Sequence, residues 1–168
     1  SGTPQAVVSN GAVVDRCFKA GALAVGASVE ITNIPGYLPM RNNTGLQELF
    51  HRNSAGLLGE GSVLVLPARR NRGGSTDMGD LSQLIPACHP YVSGAVGTGH
   101  SKEYVVNDYE AAVVNPAKIM AMVVIDLLAG KAAKGKEIVE AHRPAMNKTA
   151  YLKFQREQAR VIQFDGGA

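Results

Sequence analysis

Two glycine-bearing turns enclose an apolar stretch in the middle of the chain, and this arrangement limits the possible folds more than any other feature. The first turn spans residues 73–77 (GGSTD), and the second opens the run 97–104 (GTGHSKEY). The apolar stretch between them, residues 84–96, is broken by Pro86 and Pro90, and proline interrupts a helix. Because glycine lets a backbone turn sharply and approach a ligand closely, the sequence predicts a loop-built rim of a concave site here.

The composition is that of a globular protein of about one domain. The chain has 168 residues, of which 45% are hydrophobic and 18% charged, which is typical of a chain with a packed core. The net charge is only +3, aromatic residues make up 5%, and there is no Trp, so the sequence does not favour nucleic acid as a partner. The short basic run at residues 69–72 (RRNR) could bind phosphate, or it could be a solvated loop.

Cysteine usage and hydropathy indicate a cytoplasmic protein without a membrane partner. Cys17 and Cys88 are far apart and lack a CxxC spacing, so we expect small buried thiols of a reducing compartment. The sequence shows no run of about 20 uninterrupted apolar residues and no basic-then-apolar leader.

The periodicity of the apolar residues predicts alternating helices and strands. We expect an amphipathic helix over residues 11–27 and a half-buried strand over 28–34, ended by Pro35, Gly36 and Pro39. A helix should follow from Thr44, which opens a capping-box spacing, to near Gly59. Residues 62–66 (SVLVL) are predicted to form a short buried strand.

The second half of the chain should contain further helices. A short helix is expected over residues 77–85, a strand over 91–96, and a helix that begins at Asn115–Pro116 and ends at Gly130. Because residues 119–128 are apolar nearly all round, that helix is predicted to be deeply packed. Residues 131–160 are polar and predicted to be peripheral helices.

Of the four histidines, His100 has the most suggestive surroundings. It lies in a glycine turn with Glu103 three residues later, whereas His51 and His142 are predicted to face solvent and His89 begins a strand. Neutral imidazole is the commonest metal ligand, and a neighbouring carboxylate can orient it; a loop histidine without a ligand is the alternative. The sequence has no HExxH motif, no Cys/His zinc quartet and no GxSxG elbow.

The two turns and the apolar helix soon after them resemble the C-terminal half of a known family. Residues 74–77 (GSTD) and 97–104 (GTGHSKEY) are similar to those of the aminoacylase/carboxypeptidase-type zinc amidohydrolases, which include hippurate hydrolase, acetylornithine deacetylase and aminobenzoyl-glutamate hydrolase. The resemblance covers most of residues 13–128. It implies an α/β fold: part of a three-layer zinc-peptidase-like catalytic domain in residues 39–168, preceded in residues 1–38 by the last helix and strand of an inserted ferredoxin-like dimerisation domain.

The resemblance also implies roles for individual residues. His100 matches the single C-terminal metal ligand, and Glu103 an acidic position that supports it. The loop that lines the substrate pocket matches Gly74, Ser75, Thr76 and Asp77. The family binds two metal ions, usually zinc, and its other metal ligands and its general base lie in an N-terminal half that this sequence does not contain.

Two functions therefore remain open at the level of sequence. The first is a fragment of a metal-dependent amidohydrolase that cleaves amide bonds of N-acyl amino acids or small peptides, inactive without its N-terminal half and forming homo-oligomers. The alternative is a non-catalytic α/β module that mediates interactions or binds small acids.

Overall fold

The computed structural model describes residues 3–66 and 76–168, which form helices and two small antiparallel sheets. In chain order the elements are α1 (Pro4–Val25), β1 (Ser28–Asn33), α2 (Thr44–Leu58), α3 (Met78–Leu81), β2 (Ala95–Val96), β3 (Val105–Val106), a π-helical turn (Glu110–Val114), α4 (Asn115–Ala141), α5 (Lys148–Gln158) and β4 (Arg160–Asp165). The chain divides into two compact units. The first combines Ser1–Met40, Arg69–Leu84 and Pro144–Ala168, and the second combines Arg41–Ala68 and Ile85–Arg143.

Helix α1 and the sheet β1–β4 make up one part of the first unit. Thr3 caps α1, because its hydroxyl oxygen accepts a hydrogen bond from the Ala6 amide at 3.1 Å. The helix ends at Gly26, whose φ of 64° suits glycine. Strand β1 then pairs antiparallel with β4, from Ser28 opposite Asp165 to Asn33 opposite Arg160.

A buried glutamine joins three segments of the first unit. Gln83 is fully buried; its side-chain amide donates to the Pro39 carbonyl at 2.7 Å and to the Gly79 carbonyl at 3.0 Å. Its backbone carbonyl accepts from the Ala145 amide at 2.9 Å. The segment before residue 40, helix α3 and the start of the C-terminal segment are thus held together by polar contacts.

The second unit is built on the packing of α2 against α4. The two helices are in contact, and both carry buried apolar side chains: Leu49 on α2, and Ile119 and Ile138 on α4. Helix α4 is not continuous, because residues 129–132 leave helical geometry and Gly130, Lys131 and Ala132 all have left-handed backbones.

Several sequence-based expectations for the first half of the chain are confirmed. The helix predicted over residues 11–27 is part of α1, which begins earlier, and the strand predicted over 28–34 is β1. Helix α2 is also present, although its cap is Asn43, whose side-chain oxygen accepts from the Leu46 amide at 3.0 Å. The strand predicted over 62–66 is wrong, since those residues form no strand.

The deep packing expected for the apolar part of α4 is wrong. Residues 119–128 are not deeply packed: Ile119 is buried, but Met120, Ile125 and Leu128 are more than 60% exposed. No described element covers that side of α4, and helix periodicity alone does not tell which elements are available to cover it. The peripheral helices predicted within residues 131–160 are largely confirmed, because α4 continues to Ala141 and α5 spans Lys148–Gln158; only Arg160 at the end of that range belongs to strand β4.

The segment Glu110–Ala141 is long and apolar enough to cross a membrane by length and composition, and its most apolar 18-residue stretch has a mean hydropathy of 1.8. A core helix of a soluble protein can have the same length and composition, so these two properties do not by themselves establish a membrane span. The absence of a membrane partner and the cytoplasmic location stay predictions. So do the three-layer α/β architecture and the two domain roles assigned to residues 1–38 and 39–168.

Candidate active site

The turn that carries His100 is a short hairpin held by two glycines. Strands β2 and β3 pair antiparallel, with Ala95 opposite Val106 and Val96 opposite Val105. Gly97 follows β2 with a φ of 88°, and a Cβ atom on it would overlap the backbone oxygen of Glu103. Gly94, with a φ of 100°, lies against the backbone of Asp108 and Ala112. Both positions therefore require glycine, and they fix the path of the hairpin.

His100 lies at the tip of this hairpin in an unusual backbone conformation. Its φ of 64° is left-handed, which costs a residue other than glycine roughly 1 kcal/mol. The turn around it is closed by hydrogen bonds from the Ser101 amide to the Thr98 carbonyl at 3.1 Å and from the Tyr104 amide to the Ser101 carbonyl at 3.2 Å. The residue is exposed, and its ring makes no hydrogen bond to the described residues. The turn thus presents an imidazole outward.

Glu103, three residues after His100, belongs to the same turn. Its amide donates to the Ser101 hydroxyl oxygen at 3.3 Å, and its side chain is exposed. No described hydrogen bond or ion pair joins it to His100, so its supporting role stays a prediction.

The chain leaves the hairpin directly into a helical segment. The amides of Asn107 and Asp108 both donate to the Gly94 carbonyl, at 3.0 and 3.1 Å. The Asp108 carboxylate then accepts from the Ala111 amide at 3.0 Å. Helical turns therefore precede Asn115, which was predicted as the cap; the first of them is a π-helical turn, a geometry found disproportionately near functional sites.

The second predicted turn is described only in part. Gly74 and Ser75 lie outside the described residues. Thr76 and Asp77 precede α3, where the Thr76 hydroxyl oxygen accepts from the Met78 amide at 3.3 Å and the hydroxyl donates to the Asp77 carboxylate at 3.4 Å. The exposed Asp77 side chain leaves a carboxylate available at the surface. These residues belong to the first unit, whereas His100 belongs to the second.

The described side chains do not complete a metal site by themselves. Over residues 3–66 and 76–168, no three or more His, Cys, Asp or Glu side chains gather closely enough to hold an ion. His100 offers one imidazole, and therefore at most one of the ligands that such a site requires. Structural and catalytic zinc sites use three or four protein ligands.

Two pockets in the second unit were not anticipated from the sequence. One, of about 660 Å³, is apolar and lies at the break in α4, lined by Leu46, Leu127 and Ile138 among others. The other, of about 250 Å³, is polar and includes Arg41, His142 and Arg143. His142 was predicted to face solvent, but it is half-buried and its Nε2 atom is buried. No local sequence signal marks this pocket, because Arg41 precedes α2 whereas His142 and Arg143 follow α4.

The chain is similar to two known peptidases over most of its own length. It is 31% identical over 124 residues to the human protein named Xaa-Arg dipeptidase and 30% identical over 124 residues to the mouse protein of that name. The matched region is 68% of this chain but only 27% and 28% of these relatives, so the chain spans about a quarter of their length. No protein-family profile matches the chain, and no solved structure matches it. The similarity shows a relationship to a peptidase family.

Proposed function

We propose that this chain is part of a metal-dependent amidohydrolase or peptidase that cleaves amide bonds of N-acyl amino acids or small peptides with a metal-activated water. The relationship to proteins named Xaa-Arg dipeptidase supports peptide-bond hydrolysis and makes dipeptides with a C-terminal arginine the first substrates to test. Because the chain spans about a quarter of those relatives, the general base and the other metal ligands are expected in residues beyond it. The 168-residue chain alone is therefore expected to be inactive.

The backbone of His100 is the observation that carries this proposal. A left-handed conformation at a residue other than glycine is retained when the surroundings over-determine it, and such outliers cluster at active sites. Here Gly94 and Gly97 fix the hairpin, and the hairpin presents an exposed imidazole with no described partner. This arrangement suits a metal ligand better than it suits a packing role.

The chain's own residues would bind and orient the substrate. When bound, a divalent metal, expected to be zinc, supplies Lewis-acid polarisation of the amide carbonyl and a lowered pKa of the attacking water. Thr76 offers a hydroxyl and Asp77 an exposed carboxylate, which could recognise the guanidinium of a C-terminal arginine. Gly74 and Ser75 complete the proposed substrate loop. The three-layer catalytic domain and the inserted dimerisation domain belong to this proposal.

The test is amide hydrolysis by the complete protein that contains this chain. Release of arginine from Xaa-Arg dipeptides and of amino acids from N-acyl amino acids would be measured by chromatography for wild type, His100→Asn and His51→Asn. Asparagine tolerates the left-handed backbone, so His100→Asn removes the imidazole and keeps the turn. His51 is exposed on α2 and provides a matched control.

Loss of a metal ligand should lower kcat/KM by at least about a hundredfold, equivalent to roughly 3 kcal/mol. His51→Asn should leave it unchanged. Equal activity of His100→Asn and His51→Asn would exclude His100 as a ligand. An absence of hydrolysis by zinc-loaded wild-type protein across both substrate classes would favour the alternative, a non-catalytic module.

We also propose that the protein forms homo-oligomers, because apolar side chains lie exposed on α1. Val14, Phe18 and Leu23 are 50%, 56% and 60% exposed, and an exposed apolar surface favours association. Sedimentation over a range of concentrations checks this expectation, and a monomer at all concentrations contradicts it.

A further inference from the structure

We propose that the polar pocket in the second unit binds a small oxyanion, either a carboxylate or a phosphate group. The pocket has a volume of about 250 Å³ and lies where the end of α4 meets the start of α2. Its volume suits the head group of a ligand more than a whole drug-sized molecule. This proposal stands independently of the proposed hydrolase function.

The ionisable side chains that line this pocket are all basic. Arg41, His142 and Arg143 line it, and none of its described lining residues is acidic. One guanidinium nitrogen of Arg143 donates to the Glu140 carbonyl at 2.7 Å and to the His142 carbonyl at 3.0 Å. These bonds orient the guanidinium and leave its other N–H groups as donors. Two arginines around one concave surface favour an anion, which a guanidinium can bind in a bidentate manner.

The side-chain oxygens of two asparagines in the pocket are already bonded to backbone amides. The side-chain oxygen of Asn42 accepts from the His89 amide at 3.1 Å, and that of Asn43 accepts from the Leu46 amide at 3.0 Å. Since both oxygens are engaged with the backbone, the NH₂ groups are what these side chains can still offer. An NH₂ group donates hydrogen bonds and does not accept them, so the pocket selects for acceptors.

The backbone amides at the start of α2 also favour an anion in this pocket. Thr44 is the first residue of α2, a helix of 15 residues. The first amides of a helix have no partner within the helix, and the helix dipole adds a partial positive charge there. Oxyanions are commonly bound at such positions.

An unsatisfied buried atom independently points to a ligand. The Nε2 atom of His142 is buried and has no hydrogen-bond partner among the described residues. A buried polar atom without a partner is unfavourable, and its presence calls for a missing partner. An oxyanion in the pocket would supply an acceptor for an N–H at this position.

The experiment is a titration of the full 168-residue chain, followed by ¹H–¹⁵N NMR at constant ionic strength. One arm uses inorganic phosphate and the other uses N-acetylglycine, which carries a carboxylate like that of the proposed substrates. Arg41→Gln removes one guanidinium, and Arg156→Gln makes the same change on the exposed surface of α5. His142→Gln serves as a second variant if Arg41→Gln does not fold.

We expect saturable shifts of the Thr44 and Gly45 amides with a Kd in the millimolar range. Arg41→Gln or His142→Gln should weaken binding about tenfold, and Arg156→Gln should not. Saturation by phosphate alone assigns the site to a free anion, and saturation by N-acetylglycine assigns it to carboxylate ligands. Failure of both probes to shift these amides up to about 50 mM, or equal weakening by Arg156→Gln, would overturn the proposal.

Discussion

Replacing Arg160 by glutamine should open the β1–β4 sheet, because it leaves a buried carboxylate without its counter-ion. Asp15 on α1 is only 6% exposed. Its Oδ2 atom accepts from an Arg160 guanidinium nitrogen at 2.6 Å, and its Oδ1 atom accepts from the side-chain amide of Asn33 at 3.4 Å. Since Asn33 and Arg160 are opposite each other across the sheet, this one carboxylate ties α1 to both strands.

The size of the effect follows from the exposure of the two partners. Removing one member of a buried ion pair destabilises a protein by about 3–5 kcal/mol. The Arg160 side chain is 40% exposed and that of Asp15 is 8% exposed, so water partly screens the pair. We therefore expect a smaller loss, about 2 kcal/mol, equivalent to a roughly thirtyfold increase in the opening equilibrium of the sheet.

Amide hydrogen exchange measures this opening locally, which suits a chain made of two units. The readout is the exchange of the Ile31 and Ile162 amides in wild type, Arg160→Gln and the surface control Arg156→Gln. The control should change the opening free energy by no more than about 0.5 kcal/mol. A double-mutant cycle with Asp15→Asn should then show that the two effects are not additive. An Arg160→Gln variant that exchanges as slowly as the control would refute the reasoning.

Three further predictions concern the hairpin, acid stability and thiol reactivity. Gly97→Ala should destabilise the hairpin by about 2 kcal/mol or more, because the φ of residue 97 is 88° and the added Cβ would overlap backbone atoms. The control Gly99→Ala should be nearly neutral, because a Cβ atom there has no neighbour within 4 Å. Chemical shifts of the hairpin amides in NMR spectra of the two variants measure the difference. Hydrogen bonds from the neighbouring Asn53 and Arg52 side chains lower the pKa of Asp126. The stabilisation that the ionised Asp126 carboxylate provides is therefore present above the unfolded pKa of about 3.9, and it is lost as the pH falls through the lower pKa of the folded state. The free energy of urea unfolding of Asp126→Asn should therefore depend less on pH below about 4 than that of the wild type. Burial raises the pKa of the Cys88 thiol, so mass spectrometry should show slower alkylation of Cys88 than of the exposed Cys17.

The sequence predicts local elements well where the chain itself contains the deciding signal. Helix α1, strand β1 and helix α2 were expected from periodicity and glycine or proline breaks. The cap of α2 was displaced by one residue, because Asn43 competes with Thr44 and asparagine is the stronger cap. The choice of the capping residue depends only on residues within one helical turn of each other.

The errors occur where distant residues decide the structure. Strand β4 alternates Ile162 and Phe164 with polar residues, but its partner β1 is far away in the sequence. The exposure of Met120 and Ile125 depends on which elements lie beside α4, and no helical period encodes that information. Short apolar runs such as residues 62–66 are ambiguous for the same reason.

In the candidate site too, residue types could be predicted from the sequence, whereas backbone conformation and long-range packing could not. His100, Thr76 and Asp77 could be named from their residue types and turns, but the left-handed backbone of His100 could not be. The polar pocket could not be predicted, because Arg41 and His142 are separated by about a hundred residues of chain and meet only in the folded second unit.

The pairing of β1 with β4 has a consequence for synthesis of the protein. Ser28 and Asp165 are 137 residues apart in the chain. A ribosome that adds about 5–20 residues per second needs roughly 7–27 s to make the second strand after the first. During that interval the edge of β1 that later pairs with β4 is open to other chains, which favours aggregation of the nascent chain.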